Sequence, residues 1–404
     1  MLGRFAVLIL FIAACGRLNF SGQEEATSDG ATAADVTDAE LPEGSRDADG
    51  PADGSPPSCG PSTCPAAVGL AKSFGSNGID YAFGLSVGPT GQLAIAGFAA
   101  GPADLGGGVR PKVGIHDIGV ASYDGDGDHL WSSLFGGPGF NEAYSAAHDT
   151  NGNIFVAGRF SGMGTDFQEE SVSSEGQDDA FIASFTQDGG VRWVTSFGGN
   201  ASDRARGVAV SGDGRIVAVG RVEGDVVLPD DDISAIGGQD IAVFVVSPNG
   251  RLEWARVFGS TGNDAAIAVA ASATGIYVCG RFGGPLRADT QELTTMDQDG
   301  LLLRLSLDGE VEWARAIAGV GAASCRAIAI GIDDSIIVGG WYEGTARLEN
   351  ETLSTAAGQD AFIAGYQPDG SLIGARRFGG PGQDRINGLT VDRSGNVYAT
   401  GWFE

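Results

Sequence analysis

Acidic side chains are the chemically capable residues that recur in this chain. Asp80, Asp203, Asp264 and Asp384 fall at the same place in successive copies of one phrase, and Asn141 and Ala323 fill that place in the other two copies. A second set, Asp117, Asp179, Asp240, Asp299 and Asp360, recurs just before a run of apolar residues. If the copies surround an axis, these acids form a ring of carboxylates at one end, chemistry suited to Ca²⁺ or a basic ligand. The same residues can equally serve structure, because an Asp in a tight loop accepts N–H bonds from its own backbone. Repetition in every copy favours the structural role, since a site normally takes residues that break symmetry. No cofactor is therefore expected; Ca²⁺ is the alternative, with Asp80, Asp203, Asp264 and Asp384 as its candidate ligands.

Other chemistry is sparse. Asp124-Gly125-Asp126-Gly127-Asp128 resembles the start of a Ca²⁺ loop with oxygens at alternate positions, but no Glu stands at the twelfth position. The stretch shares its slot with Asp188-Gly189 and Asp308-Gly309, so a hairpin turn is expected. The three histidines, His116, His129 and His148, fall in different slots. There is no H-E-x-x-H, no G-x-S-x-G, no phosphate-binding glycine loop and no C-x-x-C pair. Trp131, Trp193, Trp254 and Trp313 recur in register, as residues packed between structural units would.

The elements that must position these residues are copies of one unit. The phrase beginning Phe74-Gly75-Ser76-Asn77-Gly78-Ile79-Asp80 returns at Phe135, Phe197, Phe258 and Phe378, with a degenerate copy at Ile317, at spacings of 61, 62, 61, 59 and 61 residues. A fixed period of this length marks a supersecondary unit whose apolar face only a neighbouring copy covers. In the third unit, Ala205–Ser211, Arg215–Arg221, Ile241–Val246 and Leu252–Phe258 read as four strands joined at Gly, Pro, Asn and Asp. Their near-continuous apolar runs suit strands covered on both faces, and four-stranded units in radial array make an all-β propeller. Complete units start near Ala82, Ala143, Ala205, Ala266 and Cys325. A leading strand Val68–Phe74 that pairs with Ile386–Asp392 and Asn396–Trp402 would close the ring as a sixth, three-stranded blade; a truncated reading frame is the alternative. Strand parity puts the inter-unit loops and the long loops ending at the second Asp set on one face.

The consensus W-x₃-FGG-x-G-x-D, then G-N-x-Y-V-x-G, then GQDAF-x-A, resembles the bacterial β-propeller repeat of the SBBP type. It fits best at Trp193–Gly199, Gly358–Ala364 and Gly395–Gly401, and departs at Ala316-Ile317-Ala318-Gly319. The resemblance spans about residues 67–404. It implies the propeller fold and an exported setting, and no activity.

The N-terminal end reads differently. Arg4, an apolar run from Phe5 to Ala14 and then Cys15 form an export signal too short to span a bilayer, which takes about 20 apolar residues. Ile12-Ala13-Ala14-Cys15 resembles a bacterial lipobox, which implies a diacylglycerol on the Cys15 sulfur and cleavage before it; an uncleaved anchor and an ordinary secretory signal are the alternatives. Gly16 after the cysteine points to the outer membrane, on its cell-surface or periplasmic face. Residues 1–14 are thus the expected signal peptide and 15–66 a lipid-anchored, disordered acidic tether. From Gly16 to Ala66 there are ten acids, two bases and hardly an aromatic residue, too little apolar surface to offset ordering. As a flexible chain that tether spans roughly 40 Å.

The whole chain holds 52 acidic and 24 basic residues, a net −28, of which −21 falls on the repeat region after removing the tether's −8 and the signal's +1. Such a surface repels nucleic acid and anionic lipid and keeps an exported protein soluble. With Cys15 lipidated, four cysteines can oxidise outside the cytoplasm. Cys59 with Cys64, and Cys279 with Cys325, are candidate disulfides; for the second pair two free buried thiols are the alternative.

These features point to a lipid-anchored, non-catalytic envelope propeller that binds or scaffolds a protein or glycan partner. An enzyme degrading an extracellular polymer is the rival, and a periplasmic scaffold similar to the propeller lipoprotein of outer-membrane protein assembly is a third reading. Clustering of His116 with nonrepeated acids at the channel mouth would favour the enzyme; a symmetric mouth would favour binding.

Overall fold

The computed structural model describes residues 73–228, 232–295 and 297–404. Cys15, Cys59 and Cys64, the tether and residues 68–72 of the expected closing strand lie outside them. No helix occurs among the described residues. Apolar residues, more than half of them β-branched or aromatic, bury both faces of the second and third strands, as in Ile216–Val222 and Asp240–Val246.

Five four-stranded antiparallel blades follow one another. Blade 3 pairs Arg204–Val210, Ile216–Val222, Asp240–Val246 and Leu252–Phe258 in that order. A two-stranded sheet, Arg385–Val391 with Val397–Trp402, stands sixth. The first strands of successive blades, Asp80–Val87, Glu142–His148, Arg204–Val210, Ala265–Ala271, Ala323–Ile330 and Arg385–Val391, lie side by side and so are the innermost. They line an axial channel. Between blades the core is continuous: Phe197 of blade 2 stacks on Phe244 of blade 3, within one buried cluster that draws on both.

Each inner strand carries one bulge at the same place. The extra residues are Phe83, Tyr144, Arg206, Ile267, Arg326 and Asn387. A bulge leaves its residue out of the ladder and re-aims the side chain. Beside it the second strand must be glycine: a Cβ on Gly220 would lie 1.8 Å from the Arg204 carbonyl oxygen.

The recurring tryptophans join blades, as expected. Trp193 Nε1 donates to the Pro248 carbonyl in the next blade at 3.1 Å, and Trp254 and Trp313 do the same to Leu307 and Pro368. The indole of Trp193 lies on Gly250, whose φ of 83° and missing Cβ make room for it. Asp124 likewise holds a hairpin turn, accepting the N–H groups of Asp126 and Asp128 at 3.0 and 2.8 Å.

Where the sequence suggests only a long loop between second and third strands, the structure has a short hairpin. Thr165–Phe167 pairs with Glu170–Val172, and Leu286–Ala288 with Gln291–Leu293. Phe167, Leu286 and Ala288 are buried, which is why these segments order. Each hairpin reaches the outer strand of the preceding blade, as in the pairing of Gly198 with Val227 and the bridge from Gly136 to Asp166. In blade 5 it merges into the long strands Ile336–Leu348 and Glu351–Tyr366. Gly75 makes the same contact with Asp104, so Phe74 and Gly75 occupy the slot of an outer strand preceding blade 1, and Phe74 packs on Tyr123.

Cys279 and Cys325 form a disulfide between blades 4 and 5, with a Cα separation of 5.4 Å. On the side of blade 1 away from blade 2, the arc stays open among the described residues. Tyr81, Phe83, Leu85 and Val87 are 49%, 51%, 50% and 64% exposed.

Candidate functional site

The inter-unit loops and the loops ending at the second aspartate set do meet on one face. His116, Asp178, Gln239 and Gln359 bridge in parallel to Phe140, Ser202, Asn263 and Gln383 of the following junctions. The recurring aspartates are buried there, Asp80 only partly, and hold the loops. Asp264 accepts the N–H groups of Ser260 at 2.6 Å and Gly283 at 2.8 Å, Asp203 those of Gly199 and Glu223 at 3.0 and 2.9 Å, and Asp80 those of Ser76 and Ala100 at 2.6 and 3.2 Å. Asp384 accepts from Gly380 and Glu404 at 2.9 and 3.0 Å. No group of three or more His, Cys, Asp or Glu arranged to hold a metal occurs among the described residues.

Acids of the two sets face each other at three junctions instead, Asp179 with Asp203, Asp240 with Asp264 and Asp360 with Asp384. Burial, against the Glu175 N–H and with the Asp203 charge, pushes Asp179 up to about 7. Burial likewise pushes Asp203 up to about 6, against N–H bonds from Glu223 and Gly199. Asp240 is raised by burial and by Asp264 beside it. A glycine separates them, since a Cβ on Gly379 would meet carboxylate oxygens of both Asp360 and Asp384.

The asymmetry lies at the channel mouth, in residues that do not repeat. The register pair two residues before each bulge differs in every blade: Tyr81 with Phe98, Glu142 with Arg159, Arg204 with Arg221, Ala265 with Arg281, Ser324 with Trp341, and Arg385 with Trp402. The bulge residues form the next layer and touch around the channel. Phe83 lies 5.5 Å from Tyr144, the Arg206 guanidinium sits 5.2 Å over the Tyr144 ring, and Arg326 Nε donates to Asn387 Oδ1 at 2.9 Å.

Blades 1 to 3 hold a connected network there. Glu142 accepts from Tyr144 Oη at 2.5 Å and Arg159 Nε at 2.9 Å, and lies 2.7 Å from His116 Nδ1. Arg159 also donates to Asp178 at 2.6 Å, and Asp178 accepts from Arg204 at 3.3 Å. His116 stacks on Phe98 with ring centres 4.2 Å apart. Burial alone would raise Glu142, but the bonds from Arg159, Tyr144 and His116 outweigh it and hold the carboxyl at about 2. Burial and Glu142 push Tyr144 up to about 12.

Of the three histidines, only His116 joins this network. His129 bonds to Ser132 at 3.0 Å, and His148 bonds to Ser86 at 2.8 Å between blades. Sequence reasoning overlooked Glu142, Tyr144 and the arginines. A signal for them existed: each lies in a column of the repeat where residue type changes from copy to copy.

Strand order and radial stacking define the class: a β-propeller of tandem repeats with an asymmetric channel mouth. Residues 373–402 match the SBBP family, beta-propeller repeat, so the repeat is of that type. Over 327 residues the chain is 23% identical to the regulatory protein FlaEY of Caulobacter vibrioides, covering 74% of this chain and 34% of that protein, about a third of its length. Among solved structures it is similar to the hydrazine synthase of Kuenenia stuttgartiensis, at TM-score 0.43 and 10% identity over 80% of this chain and 95% of that one. It is also similar to the Pan2 WD40 domain of Neurospora crassa, at TM-score 0.34 and 9% identity over 80% and 89%.

Proposed function

We propose that this chain is a lipid-anchored propeller of the bacterial outer membrane, on its cell-surface or periplasmic face, acting as a non-catalytic binding module for a protein or glycan through its channel mouth. Cys15 carries the lipid and residues 15–66 provide reach. The observation that carries the binding role is the mouth itself: on a frame that repeats everywhere else, six blades present six different residue pairs. A scaffold holding only itself together has no use for that variation.

One observation favours an enzyme acting on an extracellular polymer: His116 does gather with Glu142, an acid that does not repeat. The state of the groups argues against it. Glu142 is held ionised at about 2 by three donors and Tyr144 stays protonated to about 12, so neither is poised for proton transfer near neutral pH. The test is to incubate the full-length protein, purified in detergent, with a panel of neutral and charged soluble polysaccharides. Saturable binding with unchanged polymer length supports the binding module. Shortened chains that persist in wild type and vanish in His116→Ala would overturn it in favour of the enzyme.

A further inference from the structure

Beyond Arg159 and Arg204, which pair with Glu142 and Asp178, the arginines of the mouth make no ion pair among the described residues. In a chain with 52 acidic and 24 basic residues, cations are expected to be outnumbered wherever they sit. Around the channel of blades 3 to 6 the reverse holds. Arg204 and Arg221 face each other directly across one antiparallel pair, an arrangement that costs stability when both are charged. Arg221 donates only to the neutral Gln239, Arg326 to the neutral Asn387, and Arg206 lies on the Tyr144 ring. Arg281 makes no ion pair among the described residues. The Nε atoms of Arg204, Arg221, Arg281 and Arg385 are buried donors without an acceptor.

Four orphaned donors around one opening call for an explanation, because buried polar groups are nearly always satisfied. Burial is the main force lowering the Arg206, Arg221 and Arg326 pKa values; Tyr144 partly offsets it at Arg206 and Glu223 at Arg221. The neighbouring guanidinium groups push the same way: Arg281 acts on all three. Apart from Asp178 at Arg204 and the more distant Glu223 at Arg221, this positive charge is concentrated at one place in the fold with little counter-charge.

We propose that the channel mouth is a receptor for a small oxyanion-bearing ligand, a carboxylate or phosphate group on a free molecule or at the end of a glycan, held by Arg206, Arg221, Arg281 and Arg326. Guanidinium groups bind both anions through paired N–H donors. Trp341 and Trp402 occupy the matching register places in blades 5 and 6, and supply an aromatic face beside the cations. The outer surface selects for size: with −21 on the repeat region, a long polyanion is repelled, whereas a compact anion or chain end is drawn inward. This inference rests on the mouth being the binding site.

Calorimetry on the full-length protein in detergent tests it, with trigalacturonate and inorganic phosphate as probes and maltotriose as the neutral control. Saturable binding of either anion, weakened about tenfold or more between 50 and 500 mM salt, is expected; the anion that binds identifies the source. Arg206→Met, Arg281→Met and Arg326→Met should each lower that affinity about tenfold or more. The ligand-free variants should melt no lower than the wild type, since each change removes an uncompensated buried charge. Failure of both anions to bind, or binding unchanged in the three variants, overturns the inference, as does a fall in melting temperature that shows these arginines to be structural. If maltotriose binds and trigalacturonate does not displace it, the mouth is a binding site but not for anions.

Discussion

The paired loop aspartates set a pH dependence opposite to that of most carboxylates. Asp179 and Asp203 titrate at about 7 and about 6 in the folded chain, because burial penalises their charge. Unfolded, such groups titrate near 4, so between about pH 4 and 7 the folded state binds more protons. Stability from this source is complete below pH 4 and is lost as pH rises through 7. Asp179→Asn keeps an acceptor for the Glu175 N–H, 2.8 Å away, and removes the charge. It should flatten the fall in melting temperature above pH 4 and stabilise the protein at pH 8 by about 1–2 kcal/mol; thermal melts across that range check it. These aspartates were legible in the sequence as loop acids, because each bonds within its own turn or to the adjoining strand end. The mouth was not: His116 and Glu142 stand 26 residues apart and meet only because one blade abuts the next. A repeat alignment exposes constant columns at a glance, whereas the mouth residues sit in the inconstant ones.

At the scale of the element, strands and turns were readable because apolar runs and Gly-Asp reversals are local signals, and Ala205–Ser211 against the observed Arg204–Val210 shows how closely. The small hairpins escaped notice because each is only two or three residues per strand and gains its order from the blade before it. Between blades the indoles act as rivets. Trp254→Ala removes a ring packed on Gly309 and the bond to Leu307, and should cost about 3–5 kcal/mol in denaturant unfolding. Gly250→Ala should be comparably damaging, since its φ of 83° disfavours any side chain and a Cβ would lie 2.6 Å from the Trp193 indole.

For the molecule as a whole, a six-unit propeller was legible from period alone, and five complete blades with a two-stranded sixth are what the described residues show. The pairing of Cys279 with Cys325 was legible as a candidate, but whether they bond or stay free thiols was not, because sequence placed them in neighbouring units without saying whether their strands meet. The bridge spans 46 residues and should contribute up to about 4 kcal/mol by restricting the unfolded chain. Cys279→Ala with Cys325→Ala should lower the unfolding midpoint in denaturant accordingly, and reductant should do the same to the wild type once the sulfurs become accessible.

That bridge also sits in a telling place. Cys279 stands two residues before Arg281, and Cys325 immediately before Arg326. Two cations that would drift apart if the blades slid are thereby leashed by a covalent tie, and the distance between them is set by sulfur chemistry as much as by packing. On the reading of the mouth proposed above, the opening keeps its gauge only where thiols stay oxidised, and a reduced protein with every strand intact presents a looser, slacker grip.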